Sequence, residues 1–202
     1  MKLVIFDRDG TLNEDRDDFV KSADELLPLP GALDAVARLN HAGWHAVVAT
    51  NQSGLGRGLF DIAALNAMHA KLMQALLQVG GRVDAFFFCP HAPADDCACR
   101  KPLPGLFDDI RQRYAISLAG VPAVGDSLRD LQAAHAAGCQ PHLVRTGKAA
   151  LLDDAQVDAL IRQVPGAVCH ADLSAFADFI IRRDRAARGL LDDPDSAHGA
   201  LR

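Results

Sequence analysis

No run of apolar residues in this 202-residue chain exceeds six. A membrane-spanning helix needs roughly 20, so no membrane partner is expected. Basic residues form no block, and 26 acidic against 21 basic side chains leave a net charge of −5. Nucleic-acid backbones are gripped by clustered positive charge, so none is expected as a partner. The opening Met1-Lys2-Leu3-Val4-Ile5-Phe6-Asp7 meets an acidic residue too early for a secretory leader, and a cytoplasmic protein is expected. Internal repeats and low-complexity tracts are absent. Gly147-Lys148 lacks the earlier glycine of a P-loop, and Gly54, Gly56 and Gly58 are wrongly spaced for a dinucleotide fingerprint. Cysteine is scarce and odd in number: five, of which three crowd into Cys89–Cys99. That pattern argues against a disulfide framework.

What is present describes one α/β domain. Apolar residues make up 50% of the chain and charged residues 23%, enough to build a full core without cross-links. Leu3–Phe6, Ala46–Ala49, Ala85–Phe88, Val121–Val124 and His142–Val144 are too short for helices and read as strands buried on both faces. Between them lie amphipathic stretches. Asp61 is a predicted N-cap for a helix whose stripe is Ile62, Leu65, Met68, Leu72, Leu76 and Val79, stopped by Gly80-Gly81. Gly31–Ala42 and Ser127–Ala137 read as helices closed by Gly43 and Gly138, and Pro104 opens another. Such alternation predicts a parallel sheet with helices on both faces. The domain is expected over residues 1–182, with residues 183–202 a disordered tail because large apolar residues thin out there.

Chemistry in an open parallel sheet gathers beyond the carboxyl ends of the strands. Asp7-Arg8-Asp9-Gly10-Thr11 follows the first predicted strand and Thr50-Asn51-Gln52-Ser53-Gly54 the second. Arg100-Lys101-Pro102 lies beyond the third, and Gly125-Asp126-Ser127-Leu128-Arg129-Asp130 follows the fourth. Carboxylates, a hydroxyl and a lysine at successive strand ends suit phosphoryl transfer, which needs in-line attack and neutralisation of the equatorial oxygens. Asp7 is the candidate nucleophile and Asp9 the candidate general acid and base. Mg²⁺ suits the hard oxygens of Asp7, Asp126 and the Asp9 carbonyl. Thr50 and Lys101 are the expected phosphate partners. Around them, Asn51, Gln52, Ser53, Arg100 and Ser127 are candidate substrate contacts, and so are Asp15, Arg16, Asp17 and Asp18, which read equally well as a solvated loop. Asp130 fits either the metal's outer shell or a helix cap.

A second cluster is independent of the first. Cys89, His91, Cys97 and Cys99 offer three thiolates and an imidazole from one short polar loop, the ligand set of a closed tetrahedral Zn²⁺ site.

These motifs in this order resemble those of the haloacid dehalogenase superfamily: Asp-x-Asp-Gly-Thr, Thr-Asn-Gln, Lys-Pro and Gly-Asp-x-x-x-Asp, spanning residues 7–130. The resemblance implies a Rossmann-like fold, an aspartyl-phosphate on Asp7 and dependence on Mg²⁺. The Cys-Pro-His…Cys-x-Cys-Arg-Lys-Pro loop, together with an Asn13–Leu29 segment too short for a large cap domain, resembles a zinc-loop group of small-molecule phosphatases. That group acts on heptose 1,7-bisphosphate or on histidinol phosphate. Thr50–Gly58 and Val144–Lys148 resemble the sugar-bisphosphate branch, so a phosphorylated sugar is the expected partner of a monomeric enzyme. Histidinol phosphate is the alternative substrate. A receiver domain, phosphorylated on Asp but without hydrolysis, is the alternative from another class; its Asp would follow the third strand, whereas Asp7 follows the first.

Overall fold

A computed structural model describes residues 1–189. Six parallel strands form one sheet: β1 (Lys2–Phe6), β2 (Trp44–Asn51), β3 (Ala85–Cys89), β4 (Pro122–Gly125), β5 (Gln140–Val144) and β6 (Val168–His170). Their order is β3-β2-β1-β4-β5-β6, the doubly wound arrangement with its switch point between β1 and β4. Strand alternation explains why helices must cover both faces. Leu3, Ile5, Val47 and Ala49 point into a core completed by Leu106, Phe107 and Ile110 of α4 (Gly105–Tyr114) and by Ala133 and Ala134 of α5 (Leu128–Ala136). Val4, Phe6, Ala46 and Val48 point the other way, into a core shared by α1 (Ala32–His41), α3 (Ile62–Gln78) and α7 (Leu173–Ala187). A one-turn helix, α2 (Ser53–Gly56), follows β2, and α6 (Asp154–Arg162) precedes β6.

The predicted strands and helices are present, with four adjustments. Strand β6 and helix α6 were not expected: three residues with an exposed Cys169 carry little strand signal, and α6 buries only Val157. Asp61 caps α3 by accepting from the Ala64 N–H at 2.8 Å, and Leu65, Met68, Leu72 and Leu76 are wholly buried. Ile62 and Val79, at the two ends of that stripe, are 51% and 36% exposed, so the apolar face is shorter than its periodicity suggested. Helix α7 continues past the expected boundary at residue 182 to Ala187, anchored by Phe176, Ala177 and Ile180 in the core. The rest of the expected tail, residues 190–202, lies outside the described residues.

No helix separates β1 from α1. The segment folds back on itself instead: the Glu14 N–H donates to Leu27 O at 2.8 Å and the Leu29 N–H to Leu12 O at 3.0 Å. It arches over the carboxyl ends of the strands without forming a separate domain. Among the described residues, no helix is long and apolar enough to cross a membrane.

Candidate active site

Beyond the switch point lies a cavity of about 250 Å³. Asp7 extends β1 by one residue, its N–H donating to Val124 O at 2.8 Å, so its carboxylate is placed by the β1–β4 pairing. The Lys101 ammonium lies 2.8 Å from Asp7 Oδ1 and 2.6 Å from Asp130 Oδ1, and donates to Ala49 O at 2.8 Å. Lys101 is 3% exposed. Burial opposes its charge, yet Asp130 and Asp7 outweigh burial and hold its pKa above the ordinary lysine value. Asp130 is held below the usual carboxylate range, because Lys101 and the bonds it accepts outweigh its burial. It also completes a capping box with Ser127 at the start of α5, accepting from the Ser127 N–H at 3.1 Å and from its hydroxyl. Asp130 therefore caps α5 and pairs with the lysine, and it stands beside Asp7 and Asp126, where the metal's outer shell would lie. Ser127, expected on the substrate, belongs to the same cap and does not line the cavity.

Asp126 is 1% exposed. Its Oδ2 accepts from the Lys148 N–H at 2.7 Å, while Oδ1 is buried without a partner. Burial, then the charges of Asp130 and Asp7, push its pKa up to about 8. Burial likewise raises that of Asp7, with Asp130 and Asp9 adding to it and Lys101 opposing. Carboxylate oxygens of Asp7, Asp126 and Asp130 lie within 4.8 Å of one another. Three buried carboxylates against one ammonium, with one oxygen unpartnered, suit a divalent cation of the Mg²⁺ type. Glycine makes this packing possible: Gly10, at φ +79°, would carry a Cβ 2.2 Å from Asp126 Oδ2. Gly147 approaches equally closely from the segment after β5, and Thr146 Oγ1 donates to Gly10 O at 2.6 Å. The Thr146–Lys148 main chain therefore packs against the floor of the site.

Asp9 is held differently. Its Oδ1 accepts from Arg8 Nε (3.1 Å), Arg8 Nη2 (2.9 Å) and Asn13 Nδ2 (2.9 Å), and its Oδ2 from Gln52 Nε2 (2.8 Å). Burial alone would raise its pKa; the Arg8 charge and these bonds outweigh burial and hold it below the usual range. Gln52 also donates to Thr50 Oγ1 at 2.9 Å, linking the candidate acid–base to the candidate phosphate hydroxyl. Arg8, 1% exposed, went unnoticed in the sequence because arginine between two aspartates reads as a surface ion pair.

The rim is more open. Asp15, Arg16, Asp17, Phe19, Arg57, Arg100 and Lys148 line it. Lys148 pairs with Asp15 across the opening, the Arg57 guanidinium lies 5.6 Å from the Phe19 ring centroid, and Arg100 Nη1 donates to His91 O at 3.3 Å. Asp18 turns away to Arg16 and Lys21 and does not line the cavity, so the acidic stretch divides into pocket wall and solvated loop. Phe19, Arg57, Arg129 and Lys148 border the cavity but were not singled out from the sequence.

Cys89, His91, Cys97 and Cys99 converge beside this rim. Cys89 Sγ lies 3.1 Å from Cys99 Sγ and 3.8 Å from Cys97 Sγ, and His91 Nδ1 lies 3.2 Å from Cys99 Sγ. Four soft or borderline ligand atoms at these separations fit a tetrahedral metal such as Zn²⁺, whose bonds are about 2.0–2.3 Å.

This fold and site define the class, the haloacid-dehalogenase-like hydrolases. Comparison with known proteins agrees: a HAD-hydrolase-like family profile matches residues 98–170, and a polynucleotide kinase 3 phosphatase profile matches residues 2–128. The chain is 67% identical over 147 residues to the D-glycero-beta-D-manno-heptose-1,7-bisphosphate 7-phosphatase of Bordetella bronchiseptica, covering 73% of this chain and 82% of that protein. It is 46% identical to the Pseudomonas aeruginosa protein of the same name, covering 89% and 98% respectively. A crystal structure of the B. bronchiseptica D,D-heptose 1,7-bisphosphate phosphatase, complexed with magnesium and phosphate, superimposes with a TM-score of 0.84 at 56% identity, over 91% of this chain and 99% of that one. The chain belongs to the D-glycero-D-manno-heptose 1,7-bisphosphate 7-phosphatase family.

Proposed function

We propose that this protein removes the 7-phosphate of D-glycero-β-D-manno-heptose 1,7-bisphosphate by way of an aspartyl-phosphate on Asp7. The observation that carries the reading is the Asp7–Lys101–Asp130 triad beside Asp126, in a chain 67% identical to a phosphatase of that name. Asp7 attacks phosphorus in line with the bond to the sugar oxygen, and Asp9 delivers a proton to that departing oxygen. The arriving phosphate, itself anionic, favours the proton on Asp9 that this step requires. A water molecule then gives its proton to Asp9 and attacks the phosphoaspartate, freeing inorganic phosphate and restoring Asp7. Lys101 and the Thr50 hydroxyl bind the transferring oxygens. Asp7, Asp126 and the Asp9 main-chain carbonyl would hold Mg²⁺, which supplies charge neutralisation to the phosphoryl group when bound. Cys89, His91, Cys97 and Cys99 would hold Zn²⁺ as a structural ion.

Arg100 is the candidate for the phosphate that is not cleaved, since a guanidinium fork matches its oxygens. Asp15, Arg16 and Asp17 face the polyol at the rim. Every residue in this scheme comes from one chain, so a monomer suffices. The polynucleotide profile describes the same bond class, while the 67% and 46% identical relatives carry the heptose bisphosphate name, and that favours the sugar. A receiver domain is disfavoured because Asp7 follows β1 and has Asp9 beside it. The deciding measurement compares kcat/KM for both anomers of the bisphosphate with that for histidinol phosphate. The β-anomer should be turned over most efficiently; a higher value for histidinol phosphate would replace this reading with the histidine-pathway one.

A further inference from the structure

Asn51 was expected on the substrate, and it borders the cavity, but both ends of its carboxamide are engaged by the main chain. Oδ1 accepts from the Lys101 N–H at 3.0 Å, and Nδ2 donates to the Lys101 carbonyl at 3.0 Å. A side-chain amide bonded reciprocally to one residue's N–H and C=O imitates a neighbouring strand. The residue gripped in this way carries the ammonium that bridges Asp7 and Asp130.

A second set of contacts ties the same strand end to the start of the Cys/His loop. Asn51 stands in register opposite Cys89, the Gln52 N–H donates to Cys89 O at 2.7 Å, and the Gly56 N–H donates to Pro90 O at 2.9 Å. The end of β2 therefore holds the loop where it leaves β3 and, through Asn51, where it delivers Lys101. At the exit, the Gly105 N–H donates to Ala98 O at 3.1 Å. Gly105 leaves no room for slack there: a Cβ on it would lie 2.4 Å from that oxygen. The last cysteine of the cluster, Cys99, stands two residues before Lys101. The shortest route from order at the four cluster residues to the lysine is thus a two-residue peptide whose far end Asn51 fixes.

We propose that Asn51 is a positioning residue that closes the base of the Cys/His loop and couples the loop's metal to the placement of Lys101. The proposal rests on the zinc reading above. Asparagine is the residue this task requires. Aspartate keeps the acceptor for the Lys101 N–H but has no donor for its carbonyl, and alanine has neither.

The test uses the purified, metal-loaded protein, with two readouts on Asn51→Ala and Asn51→Asp. The first is the rate at which zinc passes to a chromogenic chelator. Asn51→Ala should release it about tenfold faster than the wild type, the scale of losing two hydrogen bonds, with Asn51→Asp in between. The second is turnover of the heptose bisphosphate, or of p-nitrophenyl phosphate if that sugar is not hydrolysed. Asn51→Ala should lose on the order of 10- to 100-fold in kcat, the cost of misplacing a catalytic group by about 1 Å, with KM little changed. Asn51→Asp preserves the shape and carries the test if the alanine variant fails to fold by circular dichroism. A raised KM with unchanged kcat and unchanged zinc release would overturn the proposal and return Asn51 to the substrate. Zinc-free wild-type protein would instead overturn the metal reading, and the coupling with it. Zinc-loaded variants that release metal at the wild-type rate would overturn the coupling alone.

Discussion

The floor of the cavity and its rim are built on opposite principles. On the floor, Asp7, Lys101, Asp126 and Asp130 are each at most 6% exposed, and each is placed by a strand end, a helix cap or a main-chain bond. On the rim, Lys148 and Asp15 meet with 46% and 24% of their side chains exposed. Charges on the floor interact in a low dielectric and are held still, the condition under which electrostatic stabilisation of a transition state costs no rearrangement. Exposed pairs on the rim are screened and exchange partners with water, which suits admission and recognition of a substrate. Chemistry and selection are therefore separable, and substitutions in the two regions should differ in size and in the kinetic constant they change.

The largest effect should come from the floor. Asp7→Asn removes the proposed nucleophile and weakens the proposed cation site, because an amide is a poor nucleophile and a poor metal ligand. Turnover should fall by at least about 10³-fold, the scale of losing a nucleophile. The measurement is phosphate release under saturating substrate, and near-normal turnover would refute the aspartyl-phosphate route.

A side chain between the two regions should give an intermediate effect. Arg100 lines the cavity but leans on the His91 carbonyl, so it is partly anchored by the Cys/His loop. Arg100→Ala should lower kcat/KM for the bisphosphate by roughly 10- to 1000-fold, the scale of a charge-assisted contact. A monophosphate lacking the second phosphate should be affected far less. Equal losses on both substrates would place Arg100 with the floor rather than with recognition.

The same contrast governs what could be read from the sequence. The floor was legible because strand-end chemistry leaves short, fixed motifs: Asp7, Asp9, Lys101 and Asp126 each follow or approach a predicted strand in a defined order. The Cys89, His91, Cys97 and Cys99 cluster was legible for the same reason, and its four side chains do converge. What was not legible depends on side-chain direction. Asn51 and Gln52 read as substrate contacts from their place beside Thr50, yet one grips the Lys101 peptide and the other Asp9. Ser127 read as a substrate contact and is a helix cap. Asp15 and Asp18, three residues apart in one acidic stretch, fall on opposite sides of the cavity wall. Strand β6 was missed because a three-residue edge strand carries too little pattern to stand out. Backbone periodicity places a residue at the site, but only packing decides whether its polar atoms face substrate or scaffold.

The smallest effect should come from the outer rim, and its salt dependence is the sharpest test of the contrast. Lys148 has two roles in two regions: its N–H donates to Asp126 on the floor, while its ammonium pairs with Asp15 above the opening. Substitution by alanine keeps the first and removes only the second. An exposed ion pair contributes about 0.2–1 kcal/mol, so Lys148→Ala should leave thermal stability nearly unchanged. The freed Asp15 then presents an unpaired negative charge to an anionic substrate, and KM should rise by no more than about tenfold while kcat stays near the wild-type value. Raising ionic strength from 0.01 to 0.15 M shortens the screening length from roughly 30 to 8 Å. The KM difference between variant and wild type should therefore shrink as salt is added. The double variant Lys148→Ala/Asp15→Asn should recover part of the loss at low salt, because the unpaired charge is gone. A fall in kcat that salt does not change would mean that the ion pair holds the Gly147–Lys148 main chain against Asp126, and the rim would then be part of the floor.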